Sequence, residues 1–390
     1  MKSNYKSIDE LVVRIDERNT NENVDTLIGL SIDKCFIKSV ANTIGTDLSK
    51  YKVVRKNDFA VSLMQVSRDQ KIPVAMQNDY DEAIMSPAYP IFRVKDGTEI
   101  LPEYLEMWFK RPEFDREASF IAVGGVRGSM PWEEFGRMKV PVPDIGEQKK
   151  IVSDYRIIAN RIELKKKIND NLAEQCSTDY TRMLSGYTVE NTDFPFGWSK
   201  ASIGSYCDVK SGFAFKSDWW TDSGYKVIKI ANIVNNSIDL DACDHVSPDN
   251  AQKAANFFVR GGDILIAMTG ATTGKIGMVP LSDEPIVVNQ RVGKFFLGDN
   301  PIEKAPFLYS TLLYGRVARH LQPDGTAGSA QDNLSADNIK DIAIVLPEKS
   351  VIDSFNKQHI PHLKTMMVNW AEIRVLNKLA GTLLQTISSR

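Results

Sequence analysis

Histidine and cysteine are both scarce in this chain of 390 residues, with four of each. Cys35, Cys176, Cys207 and Cys243 show no paired spacing. That argues against a disulfide framework and a zinc site, and it fits reduced thiols in a cytoplasm. His359 and His362 stand three apart beside Pro361 and are not read as metal ligands. With so few histidines, no Ser/His/Asp set can be argued from sequence. An excess of either charge is missing too: 48 Lys and Arg against 50 Asp and Glu leave a net charge of −2. Any affinity for nucleic acid must therefore come from a local basic surface, such as the stretch from Lys50 to Lys56. No apolar run reaches the roughly 18 residues of a membrane span. Met1 to Lys6 has no apolar core and is not a signal peptide.

Enzyme motifs are missing as well. No Asn/Asp-Pro-Pro-Tyr/Phe methyltransferase motif occurs, and Ser86-Pro87-Ala88-Tyr89 is not one. Pro143-Asp144 followed by Glu147-Gln148-Lys149 mimics a nuclease motif, but its acids are too close together. They read better as a helix start, with Asp144 as cap and Glu147 complementing the helix dipole. No catalytic residue is assigned.

What is present is periodicity. From Glu147 to about Ser185 there is no Pro or Gly. Apolar residues recur in threes and fours at Ile151, Tyr155, Ile158 and Ile162, then at Ile168, Leu172, Cys176, Tyr180 and Met183. The gap covers Lys165-Lys166-Lys167, which reads as a solvated face. This spacing predicts one helix of about 55 to 60 Å. A stripe that long on so polar a helix calls for one partner helix, as in a coiled coil. The pattern returns after Ser350, at Val351, Phe355, Leu363, Met366, Trp370, Ile373, Leu376, Ala380, Leu383 and Ile387. Pro361 predicts either a kinked helix or a new start near that residue.

The stretches before the two helices repeat each other. Val54-Arg55-Lys56-Asn57-Asp58-Phe59 matches Val259-Arg260-Gly261-Gly262-Asp263-Ile264, and Leu27 to Leu30 matches Val227 to Ile230. Leu101 to Leu105 matches Lys304 to Leu308, and Phe135 to Pro143 matches Ile339 to Pro347. Matches in one order at an offset of about 200 to 205 signal a duplicated globule-plus-helix unit. Strand-like runs over 53–63, 91–94, 226–233, 264–268 and 286–296 alternate with helical runs over 103–109 and 305–320. The predicted class is α+β, with a curled, mostly antiparallel sheet. A duplicated module held by two antiparallel helices suits a target with two-fold pseudosymmetry, such as duplex DNA.

At this point the chain resembles the specificity subunit of type I restriction–modification systems. The second globule carries the clearer motifs: Trp198, Ile203-Gly204, Ser211-Gly212-Phe213-Ala214-Phe215-Lys216 and Gly224 to Ile233. They continue with Gly262-Asp263-Ile264-Leu265, Thr269-Gly270, Gly274-Lys275-Ile276-Gly277, Asn289-Gln290-Arg291-Val292 and Asn333-Leu334-Ser335. In the first globule, Val140-Pro141-Val142-Pro143 with Glu147, Gln148 and Ile151 looks like the family's entry into its first helix. The resemblance implies target-recognition domains over 1–145 and 187–347, and conserved-region helices over 146–186 and 348–390 forming an antiparallel coiled coil. It implies a non-catalytic cytoplasmic protein that reads a split DNA sequence. Its implied partners are double-stranded DNA, two methyltransferase subunits and, through the complex, restriction subunits, with no membrane. S-adenosylmethionine would be bound by the methyltransferase partners, and the chain itself would need no cofactor. Glu147, Gln148 and Ile151 would dock a partner. Two departures stand out: the second helix lacks the Glu-Gln pair, and the first globule lacks the Ser-Gly-Phe and Gly-Lys motifs. The alternatives are a DNA-modifying enzyme (nuclease or fused methyltransferase) and a coiled-coil protein scaffold.

Candidate DNA contacts follow from residue chemistry. Gly270 to Ile276 looks like a phosphate loop, yet its spacing is not a Walker A. Thr269, Thr272, Thr273 and Lys275 could still offer hydroxyls and an ammonium to a DNA phosphate. Asn289 and Arg291 can make paired hydrogen bonds to base edges, and on a strand they would share a face. Lys216 follows two phenylalanines expected in the core. The glycine-rich loops Gly124 to Met130 and Gly325 to Gln331 put Arg127, Ser129, Ser329 and Gln331 on backbone able to approach a groove. Gln65, Ser67 and Arg68 are weaker candidates.

Overall fold

The structure is a computed structural model, and it describes residues 4–39, 45–64, 66–124, 128–321 and 333–387. Contacts divide the chain into two units, Met1–Arg161 with Asn377–Arg390, and Ile162–Leu376. The division cuts both long helices, so each unit takes in its own part of each.

The first long helix is Ile145–Met183. Asp144 starts it as expected: its Oδ1 accepts from the N–H groups of Gly146 and Glu147, both at 3.0 Å. The second is Lys349–Thr386, with Pro361 inside it. The chain does not stop and restart there. Pro361 is exposed, so the carbonyl that loses its partner can face water.

Within the second unit the two helices run antiparallel. Lys165 meets Asn369 and Glu372, Asn169 meets Asn369, Cys176 meets His359, and Asp179 meets Gln358. The seam corrects the sequence stripe in its middle. Ile168 is 37% exposed and lies off the seam, while Asn169 is buried in its place. Lys165 does not lie on a solvated face: its ammonium sits 3.0 Å from Asn369 Oδ1 and 2.6 Å from Glu372 Oε2. Lys166 and Lys167 are the solvated ones. The break in apolar period is where the seam turns polar. In the first unit, Ile151 and Val152 share an apolar cluster with Leu384 and Ile387.

Both units carry the same order of elements. Strand Asn4–Ser7 pairs antiparallel with Lys139–Val142, as Ser199–Ser202 does with Ala343–Leu346. A one-turn helix follows each first strand, Ile8–Leu11 and Ile203–Tyr206. Next, Val12–Ile15 pairs with Ile91–Val94, and Asp208–Ser211 with Val292–Phe296. Phe59–Val61 lies between Ile91–Val94 and Val74–Met76; Ile264–Ala267 lies likewise between Val292–Phe296 and Ile276–Met278. Helices Pro102–Phe109, Pro112–Ile121 and Trp132–Arg137 recur as Ala305–Leu313, Gly315–Leu321 and Ala336–Lys340. The class is α+β with mostly antiparallel sheets, as the repeats predicted.

Four predicted runs split. The 226–233 run divides into strand Tyr225–Ile228, the 3-10 turn Ile230–Asn232 and strand Ile233–Val234. The 53–63 run breaks at Asn57, which takes φ 69°, between strands Lys52–Arg55 and Phe59–Val61. The 286–296 run becomes Ile286–Val288 and Val292–Phe296. The 305–320 helix breaks before Gly315, whose φ is 70°. Among the described residues no helix is long and apolar enough to cross a membrane.

The buried amide pair in the helix seam gives a test. Asn369 Nδ2 donates to Asn169 Oδ1 at 2.7 Å, and Asn369 Oδ1 accepts from Lys165. Asn369→Leu leaves Asn169 Oδ1 buried without its donor, while Lys165 keeps Glu372, and should cost about 1–3 kcal/mol in urea unfolding. The double variant Asn169→Leu/Asn369→Leu should be the more stable of the two, because no buried amide is left without a partner. Equal stabilities would show that the amides make no such bond.

Candidate nucleic-acid interface

One turn fixes the position of the central strand in each unit. Asp263 is buried, and its Oδ2 accepts from Arg260 N–H at 2.9 Å and lies 3.4 Å from Lys294 Nζ. Burial pushes its carboxyl up, with the Lys294 ammonium pulling the other way. In the first unit Asp58 does the same: Oδ2 accepts from Arg55 N–H at 2.8 Å, and Oδ1 pairs with Arg93 Nε at 2.5 Å. The repeated Val-Arg-x-x-Asp motif is therefore a capped turn.

At the far end of the strand, three connections meet. In the second unit, Ala267 N–H donates to Lys275 O at 2.9 Å, and Met268 N–H to Arg291 O at 2.9 Å. Leu334 N–H donates to Met268 O at 2.9 Å. The loop over 269–275, the turn at Asn289–Arg291 and the chain entering Leu334 thus share one edge. The first unit repeats the arrangement: Ser62 N–H to Pro73 O at 2.9 Å, Val61 N–H to Pro90 O at 3.1 Å, and Met130 N–H to Leu63 O at 2.9 Å. Ser67 and Arg68 thus stand on the counterpart of the 269–275 loop, and Gly128 lies against Ser67. The loops differ too much in sequence for motif matching to pair them.

Lys275 and Arg291 are exposed on this edge, and neither makes an ion pair among the described residues. Lys216 is exposed as well, with its ammonium 5.5 Å from the Trp219 ring. Lys253 lies 4.2 Å from the same ring and Lys229 3.8 Å from that of Trp220. This cation–aromatic patch escaped the sequence reading, because its lysines come from separate segments. Phe213 and Phe215 are half-buried against the same cluster.

Other expectations need correction. Thr273 is buried and its hydroxyl donates to Gly270 O at 2.7 Å. The hydroxyls of Thr269 and Thr272 are enclosed without partners among the described residues. The N–H groups of Thr273, Gly274 and Lys275 bond to Gly270, Ala267 and Thr272, so these three are not offered to a phosphate. Asn289 and Arg291 do not share a strand face: Val292 N–H donates to Asn289 O, and Asn289 Oδ1 accepts from Arg291 N–H, which makes a tight turn. Ser129 is half-buried beside Gly128. Arg127, Ser329, Gln331 and Gln65 lie outside the described residues.

The docking expectation also changes. Gln148 is fully buried; its Oε1 accepts from Leu101 N–H, and its Nε2 donates to Glu99 O and Pro143 O. Ile151 is buried in the first unit's core, and Glu147 is half-exposed. Gln148 and Ile151 thus fasten the helix start to their own unit, Gln148 by accepting from the N-cap residue of helix Pro102–Phe109 and Ile151 by packing in the core. The second helix, which lacks the Glu-Gln pair, uses Asn356 instead: its Oδ1 accepts from Phe307 N–H at 2.8 Å.

Residues 195–365 match the family described as Type I restriction modification DNA specificity domain. The chain is similar to the MjaVIII specificity subunit of Methanocaldococcus jannaschii, at 28% identity over 46% of this chain and 44% of that protein. It is also similar to the EcoAI specificity subunit of Escherichia coli, at 31% over 26% of this chain and 18% of that protein. The chain therefore spans less than half the length of these two relatives. The type I S subunit from M. genitalium shares the fold, with a TM-score of 0.57 at 14% identity, covering 99% of this chain and 96% of that one.

Gly212 seats the Asn289 turn. A Cβ there would overlap the carbonyl oxygens of Val288 and Asn289, which are backbone and cannot swing away. Gly212→Ala should lower stability by about 1–3 kcal/mol in thermal or urea unfolding. A variant as stable as the parent would show that the loop yields freely and does not hold the turn.

Proposed function

We propose that this chain, which carries a type I restriction modification DNA specificity domain on the fold of a specificity subunit, reads duplex DNA in two halves and performs no catalysis itself. Each recognition domain, over 1–145 and 187–347, takes one half-sequence. The helical regions space the domains and dock two methyltransferase subunits, which bind S-adenosylmethionine. Restriction subunits join through that complex. The observation that carries this reading is the edge beyond Ile264–Ala267. There, two exposed cations without acid partners among the described residues, Lys275 and Arg291, flank one strand end within the matched domain. Duplex DNA is the polyanion that such an edge would meet. The loops of Arg127 and Gln331 precede Met130 and Leu334, which bond to the same edge in each unit. At a net charge of −2 the chain has no long-range attraction for DNA, so tight binding requires the methyltransferase subunits.

Binding of the assembled complex to matched and scrambled duplexes, measured by anisotropy across a salt series, tests this reading. Lys275→Ala should weaken binding to both duplexes alike and flatten the salt slope by roughly one unit. Arg291→Ala should relax discrimination by about 1–3 kcal/mol in one half-site and leave the other alone. If neither variant changes binding, this edge does not meet DNA.

The spacing role has its own test. Asn169 and Asn369 lie at one level of the helix pair. Four residues inserted after Asn169 and four before Asn369 add about 6 Å to each helix. With about 3.4 Å per base pair, the gap between half-sites should widen by roughly one to two base pairs. The half-sequences themselves should stay unchanged in methylation sequencing. An unchanged gap at full activity would remove the helices from that role.

A further inference from the structure

The second unit holds a cluster that DNA reading does not use. Cys176 on the first long helix faces His359 and His362 on the second. Its Sγ is 3.4 Å from His359 Nδ1 and 3.8 Å from His362 Nδ1, and the two Nδ1 atoms are 2.9 Å apart. A tetrahedral zinc ion, with Zn–S near 2.3 Å and Zn–N near 2.0–2.1 Å, needs S···N edges of about 3.6 Å and N···N edges of about 3.3 Å. The two S···N distances bracket the first value. The N···N edge is short by roughly 0.4 Å, the spacing of two imidazoles sharing one hydrogen. A small rotation of the half-exposed His362 opens it. Among the described residues this is the one group of three His, Cys, Asp or Glu whose ligand atoms come this close.

A second observation is independent of these distances. His359 is fully buried and its Nε2 has no hydrogen-bond partner among the described residues, although Asp179 Oδ2 lies 3.4 Å away. A buried polar nitrogen left unpaired is costly. A cation on Nδ1 fixes the tautomer with the proton on Nε2, aimed at the carboxylate. Metal-binding histidines characteristically have such an outer carboxylate, which orients the ring and raises its basicity.

We propose that Cys176, His359 and His362 bind a borderline-soft divalent cation, zinc above all, with Asp179 as the positioning residue for His359. His362 also lines a surface groove with Asn171, Glu174, Gln175 and Gln358, which gives the ion a way in and leaves the fourth coordination position to water. On binding, the Cys176 thiol releases its proton to solvent and both imidazoles bind neutral. The thiolate and Asp179 together balance the charge of the ion. The bound ion ties the two helices together at one level of their seam. Spacing along the chain conceals the site, since Cys176 and His359 are 183 residues apart.

The test uses the full chain stripped with chelator and then titrated with zinc or cobalt(II). The chain should retain one zinc after gel filtration, and its Tm should rise. Cobalt should produce an intense thiolate-to-metal charge-transfer band. Cys176→Ser should abolish that band, His362→Ala should weaken binding at least tenfold, and Asp179→Asn should weaken it about 10–100-fold. Cys35→Ser, at the exposed thiol, should change nothing. Absence of retained zinc and of the cobalt band in the parent overturns the proposal. So does a band that survives Cys176→Ser but is lost in Cys35→Ser. Because Cys176→Ser is nearly isosteric and His362 is half-exposed, circular dichroism of both variants should match the parent, which separates lost binding from lost folding.

Discussion

A buried carboxylate at a strand start is the constraint on which each unit depends. Placing Asp58 or Asp263 inside a sheet is unfavourable unless its oxygens are satisfied. Each accepts a backbone N–H across its own turn and pairs with a cation on the neighbouring strand. Turn, central strand and neighbour are thereby fixed together. With the start of the strand fixed, its length determines where the far end emerges. That end is where the loops carrying Lys275, Arg291 and the chain into Leu334 converge. An internal ion pair thus sets the position of an external surface.

Much of this was legible in the chain because duplication doubles the signal. The Val-Arg-x-x-Asp turn, the prolines before the long helices and the glycine-rich loops each occurred twice at one offset, and the structure gives each described pair the same place. Sequence was less informative where a residue's partner is remote. Ile168 fits the apolar spacing, but Asn169 occupies the seam because Asn369 and Met366 wait opposite. Gln148 looked like a surface signature, and only the packing of Leu101 and Glu99 around it reveals its internal task. The run from Ile286 to Phe296 read as one strand because both halves are apolar. The Asn289 side chain bonding to Arg291 N–H interrupts it, and propensity does not register that interaction.

The two copies solve one problem with different residues. Each long helix must be fastened to a shorter helix of its own unit. Gln148 does so near the start of the first, and Asn356 does so deeper in the second. Arg93 and Lys294 divide in the same way, one forked and one a point charge, over equivalent aspartates. Position is therefore preserved more strictly than residue identity. Motif comparison consequently favoured the second unit, although both have the same layout.

The Asn169–Asn369 bond has one more consequence. The two residues are 200 apart in the chain, four short of the 204 that separates Pro143 from Pro347 at the entries to the two helices. They are therefore not copies of each other, and the seam joins them unequally: Asn369 donates to Asn169 and accepts from Lys165. A polar bond inside an otherwise apolar seam specifies register, because sliding one helix by a turn would bury both amides away from each other.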